Sequence, residues 1–171
     1  MNDFVTLYQR YSLDVYRFAL SLSGNAAQAE DIASETFARA WLAPTELRLG
    51  TAKAYLLTIA RHLFLKGLRR ETRQVELDDR LPDPAPSPAA KAEHRAELAA
   101  VLQALQRLPE VDRAALLMRA EEGMSYEEIA AALGLSLTAV KVKIHRARLR
   151  LATSRTSYHE ASDAHHPRSD H

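Results

Sequence analysis

Residues 141–150 hold Lys141, Lys143, Arg146, Arg148 and Arg150, and no acidic residue occurs between Ser136 and Ser157. An ordinary solvated helix face mixes charge signs, so a run of one sign is an electrostatic footprint for a polyanion, and nucleic acid is the polyanion it matches. The chain offers no comparable start for covalent chemistry. It has no cysteine, which excludes disulfides and thiolate metal sites. We find no nucleophile with an adjacent base, no paired carboxylates in a cleft and no metal set. The five glycines stand at helix boundaries or alone, so no phosphate-binding loop can be assembled from them. The expectation is no catalytic residue, no metal, no cofactor and no small-molecule substrate.

The elements that must position these cations are helices. Leu137, Val140, Ile144, Ala147 and Leu151 recur at three- and four-residue steps, one side of a helix. Thr138, Lys141, Val142, His145, Arg146 and Arg148 are then left outward or at its margin. Ser136 caps this helix and Gly134 makes the turn before it. Ahead of the turn, Ser125-Tyr126-Glu127-Glu128 reads as a capping box opening a helix with Ile129, Ala130 and Leu133 on its apolar face. Together they predict a helix-turn-helix. Two further helices precede it: one with Leu98, Val101, Leu102, Leu105 and Leu108 inward, broken by Pro109, and one from about Val111 to Glu121, ended near Gly123.

The first part of the chain predicts three helices. Phe4, Leu7, Tyr8, Tyr11, Val15, Phe18, Ala19 and Leu22 mark one, stopped by Ser23-Gly24-Asn25. A second spans about Ala26 to Leu42, with Ala33, Phe37, Ala40 and Trp41 in one arc and Asp31, Ser34, Glu35 and Ala38 opposite. A third spans about Thr51 to Arg70, burying Leu56, Ile59, Ala60 and Leu63, and it gathers Arg61, Lys66, Arg69, Arg70 and Arg73 toward one end. Between the halves, Leu81 to Pro88 carries four alternate prolines, which can neither continue a helix nor donate backbone hydrogen bonds.

The expected fold is therefore all-α: a three-helix domain over residues 1–73, an acidic, Pro-rich linker over 74–91, a four-helix domain with the helix-turn-helix over 92–152, and a disordered tail over 153–171. Alanine and leucine supply most of the apolar content while aromatics are 6%, which also favours helix packing. The net charge of +1 divides into two basic domains and an acidic linker containing Glu76, Asp78, Asp79 and Asp83. Met1 to Arg10 lacks a signal-peptide core and no run of about 18 apolar residues exists, so a soluble, cytoplasmic chain without membrane insertion is expected. His159, His165, His166 and His171 cluster in the tail without a fixed spacing, which suits solvation better than metal sensing.

Residues 108–148, L-P-E-V-D-R-A-A-L-L-M-R-A-E-E-G-M-S-Y-E-E-I-A-A-A-L-G-L-S-L-T-A-V-K-V-K-I-H-R-A-R, resemble region four of the extracytoplasmic-function (ECF) subfamily of bacterial RNA polymerase sigma factors. Residues 29–41, A-E-D-I-A-S-E-T-F-A-R-A-W, and 54–70, A-Y-L-L-T-I-A-R-H-L-F-L-K-G-L-R-R, similarly resemble region two. The resemblance implies a subunit that directs core RNA polymerase to promoters, melts promoter DNA only on the polymerase and catalyses nothing itself. It implies that Asp31, Ser34 and Glu35 dock on the clamp helices of the largest polymerase subunit. Lys53, Arg61, His62, Lys66, Arg69 and Arg70 would meet the downstream, minus-ten element, with a flipped base held near the loop at about Ala43 to Lys53.

For the upstream, minus-thirty-five element, the resemblance puts Lys141 and Arg146 on base edges and Tyr126 and Arg148 on phosphates, with Thr138, Val142 and His145 beside them. The family often has glutamine where Ser34 stands, asparagine where His62 stands, acid where Lys66 stands and a small polar residue where Val142 stands. The changes at His62 and Lys66 point to an altered sequence preference. The linker would thread toward the polymerase active centre or act only as a tether. An inhibitory anti-sigma partner covering both domains is also implied. Two other readings remain: a helix-turn-helix repressor, which leaves the Asp31–Trp41 pattern unused, and a sigma-like decoy, which has no need of DNA-reading cations.

Overall fold

The structure, a computed structural model, describes residues 4–43, 49–74 and 89–163. Residues 44–48 of the expected loop, the linker's prolines and acids, and His165, His166 and His171 lie outside them, as does the His159 side chain. Seven helices run through the described residues: α1 (Phe4–Ser23), α2 (Ala26–Leu42), α3 (Leu49–Gln74), α4 (Ala89–Gln106), α5 (Glu110–Ala120), α6 (Tyr126–Leu133) and α7 (Leu137–Asp163). Strands are absent among these residues.

Helices α1 to α3 form one unit around Val15, Phe18, Leu22, Leu56 and Leu57, all fully buried. Each such side chain contributes on the order of 1.5–3 kcal/mol of hydrophobic stabilisation. The α1–α2 corner is tight. Gly24 takes φ +67°, a conformation that disfavours a Cβ, its amide donates to Leu20 O at 2.8 Å, and the Asn25 side chain then accepts from Gln28 N at 3.0 Å to start α2.

In the second unit α5 is enclosed on all sides, every residue from Asp112 to Met118 being buried. Its Arg113 is spent on structure: Nη1 donates to Leu105 O at 3.3 Å and Leu108 O at 3.2 Å, supplying a cation to the carbonyl end of α4. Burial pushes this guanidinium below its ordinary pKa, with the nearby Glu110 acting the other way. The α6–α7 turn follows its sequence signals. Ser125 Oγ accepts from Glu128 N at 3.1 Å, Gly134 adopts φ 66°, and Ser136 Oγ accepts from Ala139 N at 3.1 Å.

The two units are not separate bodies. α5 packs on α1 and α6 on α3, so one continuous apolar core runs from Tyr11 to Ala147. Gln106 fastens the junction by donating to Ser21 O and Leu22 O, both at 3.2 Å.

Several expectations need correction. α7 continues to Asp163, past the point where a disordered tail was expected, because nothing between Ala152 and Asp163 is a helix breaker. α3 begins at Leu49, two residues ahead of the expected start near Thr51, so residues 49–53 of the expected loop are helical. Leu98 and Val101 have the period of an inward face but are 51% and 56% exposed, while Leu105, further along α4, is buried. Trp41 is 65% exposed: it shares the arc of Phe37 but lies at the rim, edge-on to Phe4 at 4.8 Å between ring centroids. Leu137 is exposed and Ile59 only half-buried.

Candidate nucleic-acid interface

Helix α7 lies on the second unit through Val140, Ile144 and Ala147, which are all buried. That contact fixes its rotation. Thr138, Lys141, Val142, His145, Arg146 and Arg148 are consequently exposed together, with Arg150 one turn on. Their arrangement, an apolar side seated and a polar side presented, is the one a major groove admits.

Two contacts orient the cations of this face. Tyr126, the first residue of α6, lies under Lys141, whose Nζ is 5.6 Å from its ring centroid, and also carries Arg119 of α5, with Cζ at 4.3 Å. Arg119 is itself held by donating to Met124 O at 3.0 Å. Beneath the helix, Asp112 of α5 is buried, with Oδ1 3.5 Å from Lys143 Nζ and Oδ2 3.6 Å from Arg146 Nε. Sequence reasoning missed Asp112. An acid in the first turn of a helix is already accounted for by the helix dipole, and no spacing rule links it to cations some thirty residues later.

The cations expected at the downstream element divide into two sets. His62, Lys66, Arg69 and Arg70 are exposed on α3. Lys53 and Arg61 instead face the second unit. Arg61 Nε and Nη2 donate to Glu110 Oε1 and Oε2, each at 2.8 Å. Lys53 Nζ is 3.0 Å from Glu122 Oε2 and 3.6 Å from Asp14 Oδ2, and Arg17 Nε approaches Glu121 at 3.1 Å. Burial pushes the Glu122 carboxyl above the ordinary glutamate range, while the adjacent Lys53 ammonium pulls it back. Glu121 is raised too, by burial and then by its neighbour Glu122, with Arg17 opposing. In this arrangement Lys53 and Arg61 are paired with carboxylates of the second unit.

Asp31, Ser34 and Glu35 are exposed along α2. They form one wall of an open groove of about 630 Å³ whose other wall carries Lys66 and Arg70, with Leu63 at its floor. The residues expected to meet a protein and those expected to meet DNA thus share one cleft. The like-charge pair of Asp31 and Glu35 is relieved within the helix itself, since Glu35 Oε1 accepts from Arg39 Nε at 3.2 Å.

Comparison with known proteins matches the two parts of the chain to two family models. Residues 7–74 match the family model of Sigma-70 region 2 and residues 98–151 that of Sigma-70, region 4. The chain is 40% identical over 160 residues to the ECF RNA polymerase sigma factor SigE of Mycolicibacterium smegmatis, covering 88% of this chain and 61% of that longer protein. It is 36% identical over 136 residues to the ECF RNA polymerase sigma factor EcfG of Rhodopseudomonas palustris, covering 79% and 75% of the two. Among solved structures it is similar to the sigma factor RpoE of Bartonella quintana crystallised with the anti-sigma factor NepR. That match has a TM-score of 0.74 and 29% identity over 91% of this chain and 98% of the other.

Proposed function

The chain belongs to the ECF subfamily of RNA polymerase sigma factors, and from that membership we propose that it binds bacterial core RNA polymerase and directs promoter recognition, melting and initiation. The observation that carries the reading is the exposed face of α7 over residues 138–150, which holds no acid and is seated on a helix-turn-helix through Val140, Ile144 and Ala147. Lys141 and Arg146 read base edges of the upstream element, the geometry that suits arginine to guanine. Tyr126 and Arg148 hold phosphates, while Thr138, Val142 and His145 border the contact.

On the other unit, Asp31, Ser34 and Glu35 dock on the clamp helices of the largest polymerase subunit. His62, Lys66, Arg69 and Arg70 follow the downstream element, joined by Lys53 and Arg61 once Glu122 and Glu110 release them. Release is a geometric requirement. Elements about 25 base pairs apart lie on the order of 85 Å from one another along B-DNA, and two units sharing one core cannot reach both. Residues 75–88 are long enough to allow the separation, since fully extended they reach about 50 Å beyond the helices they join.

The work is recognition and positioning, not catalysis, and it takes place in the cytoplasm with the polymerase. An anti-sigma partner fits the same reading: the closed form, with Lys53 and Arg61 already engaged, is the state such a partner would hold. Residues 75–88 act as the tether between the two units.

The test is run-off transcription by core polymerase on a pool of genomic promoters, with and without the chain. New starts sharing a two-element promoter are expected. DNA binding without new starts would return the repressor or decoy reading to the front.

A further inference from the structure

Asp112 has no part in the function as stated, yet it is a charged side chain only 2% exposed. A buried carboxylate is costly unless paired, and here the pairing comes from α7. Among the described residues its ion pairs are Lys143 Nζ at 3.5 Å from Oδ1 and Arg146 Nε at 3.6 Å from Oδ2, and Oδ2 accepts no hydrogen bond. Lys143 and Arg146 are three residues apart, so they straddle the carboxylate from neighbouring turns. Arg146 remains about half exposed.

We infer that Asp112 is a positioning residue for upstream-element reading: its carboxylate tethers Arg146 from beneath α7 and so sets the angle at which that guanidinium meets a base pair. This rests on α7 being the helix that reads DNA. The atom nearest the carboxylate is Nε, next to the side-chain stem, which leaves the two terminal nitrogens to make the forked contact. An arginine already restrained before DNA arrives loses less freedom on binding. The same carboxylate cancels part of the positive charge at the root of the helix, so it lowers general attraction to phosphate while sharpening the choice of base. A residue that only supported the fold would leave the choice of base unchanged.

The experiment uses the full chain with core polymerase on a promoter whose upstream element is randomised, reading run-off yield for every sequence. Asp112→Asn keeps the shape and removes the charge. The expected result is a loss of about tenfold in preference at one base-pair position, with the other positions unchanged and yield from mixed sequences equal or higher. Arg146→Ala should flatten that same position, and the double variant should add nothing to it. A uniform loss of yield with every preference intact would overturn the inference and leave Asp112 a fold residue. Should Asp112→Asn not fold, Arg146→Ala alone still decides against it if no position changes. Absence of new starts with the unmodified chain is a different failure, that of the sigma reading, and the inference falls with it.

Discussion

Arg61 of α3 and Glu110 of α5, 49 residues apart, are joined by two parallel hydrogen bonds of 2.8 Å, and the pair closes one unit of the chain onto the other. The side chains are only 11% and 18% exposed. At such a site the pair itself adds modestly to stability, but removing one partner costs about 3–5 kcal/mol because the other charge stays buried. Glu110→Arg sets two guanidiniums face to face and is expected to open the chain without unfolding either unit. Small-angle scattering reads this as a radius of gyration rising several ångströms above the roughly 15–16 Å of a compact chain this size. The exchange Arg61→Glu with Glu110→Arg should restore compactness. An unchanged radius in the single variant would show that the apolar junction alone holds the units together.

Glu121 and Glu122 make the junction sensitive to pH. Both carboxyls are raised above their ordinary range, chiefly by burial, so the packed state binds their protons more readily than the unfolded chain does. The sign follows: their contribution is fully present below the ordinary glutamate value and is lost as pH rises through the raised one. Glu122→Gln fixes one site in its neutral form. Thermal unfolding of the two proteins across pH 5 to 8 should show the variant gaining on the parent as pH rises. A gap that widens toward acid would mean that the Lys53 ion pair, not desolvation, dominates at Glu122.

On the polymerase side, Glu35 is held by Arg39 in an exposed pair of the kind worth about 0.3–0.5 kcal/mol. It can therefore change partner at little cost. Asp31→Lys with Glu35→Lys should lower affinity for core polymerase by on the order of tenfold or more, measured by competition against a labelled sigma subunit. Binding of α7 to an isolated upstream duplex should stay the same. Equal polymerase affinity would remove this face of α2 from the interface.

The helices were legible because each was written locally: apolar steps of three and four, Ser125 and Ser136 as caps, Gly24 and Gly134 as turns. Exposure of the α7 face was legible for the same reason, since Val140, Ile144 and Ala147 could only point one way. What resisted reading depends on residues far along the chain. Nothing around Lys53 or Arg61 announces that Glu122 and Glu110 will meet them. Nor does the periodicity of Leu98 and Val101 reveal that both side chains stay exposed. Asp112 shows the same gap from the other side, an acid whose local environment explains it well enough to hide its distant partners.

Lys141 offers the sharpest test of how the upstream face works. Its ammonium lies 5.6 Å from the centre of the Tyr126 ring, which also carries the Arg119 guanidinium at 4.3 Å. Cation–π contacts at exposed sites are worth about 0.5–1 kcal/mol, enough to bias the lysine's rotamer but not to prevent it from reaching DNA. A lysine meeting a base edge and one meeting a phosphate behave differently when removed. In the first case Lys141→Ala costs about 1–3 kcal/mol at a single upstream position and relaxes the preference there. In the second the loss is the same on every sequence, and the salt dependence of binding falls by about one unit of slope. The expected outcome is the first, because Lys141 is presented on the same exposed face as Arg146, early in α7. Binding of the polymerase complex to position-by-position variants of the upstream element, at two salt concentrations, separates the two. A uniform loss would move Lys141 to the phosphate backbone and leave Arg146 to carry base recognition.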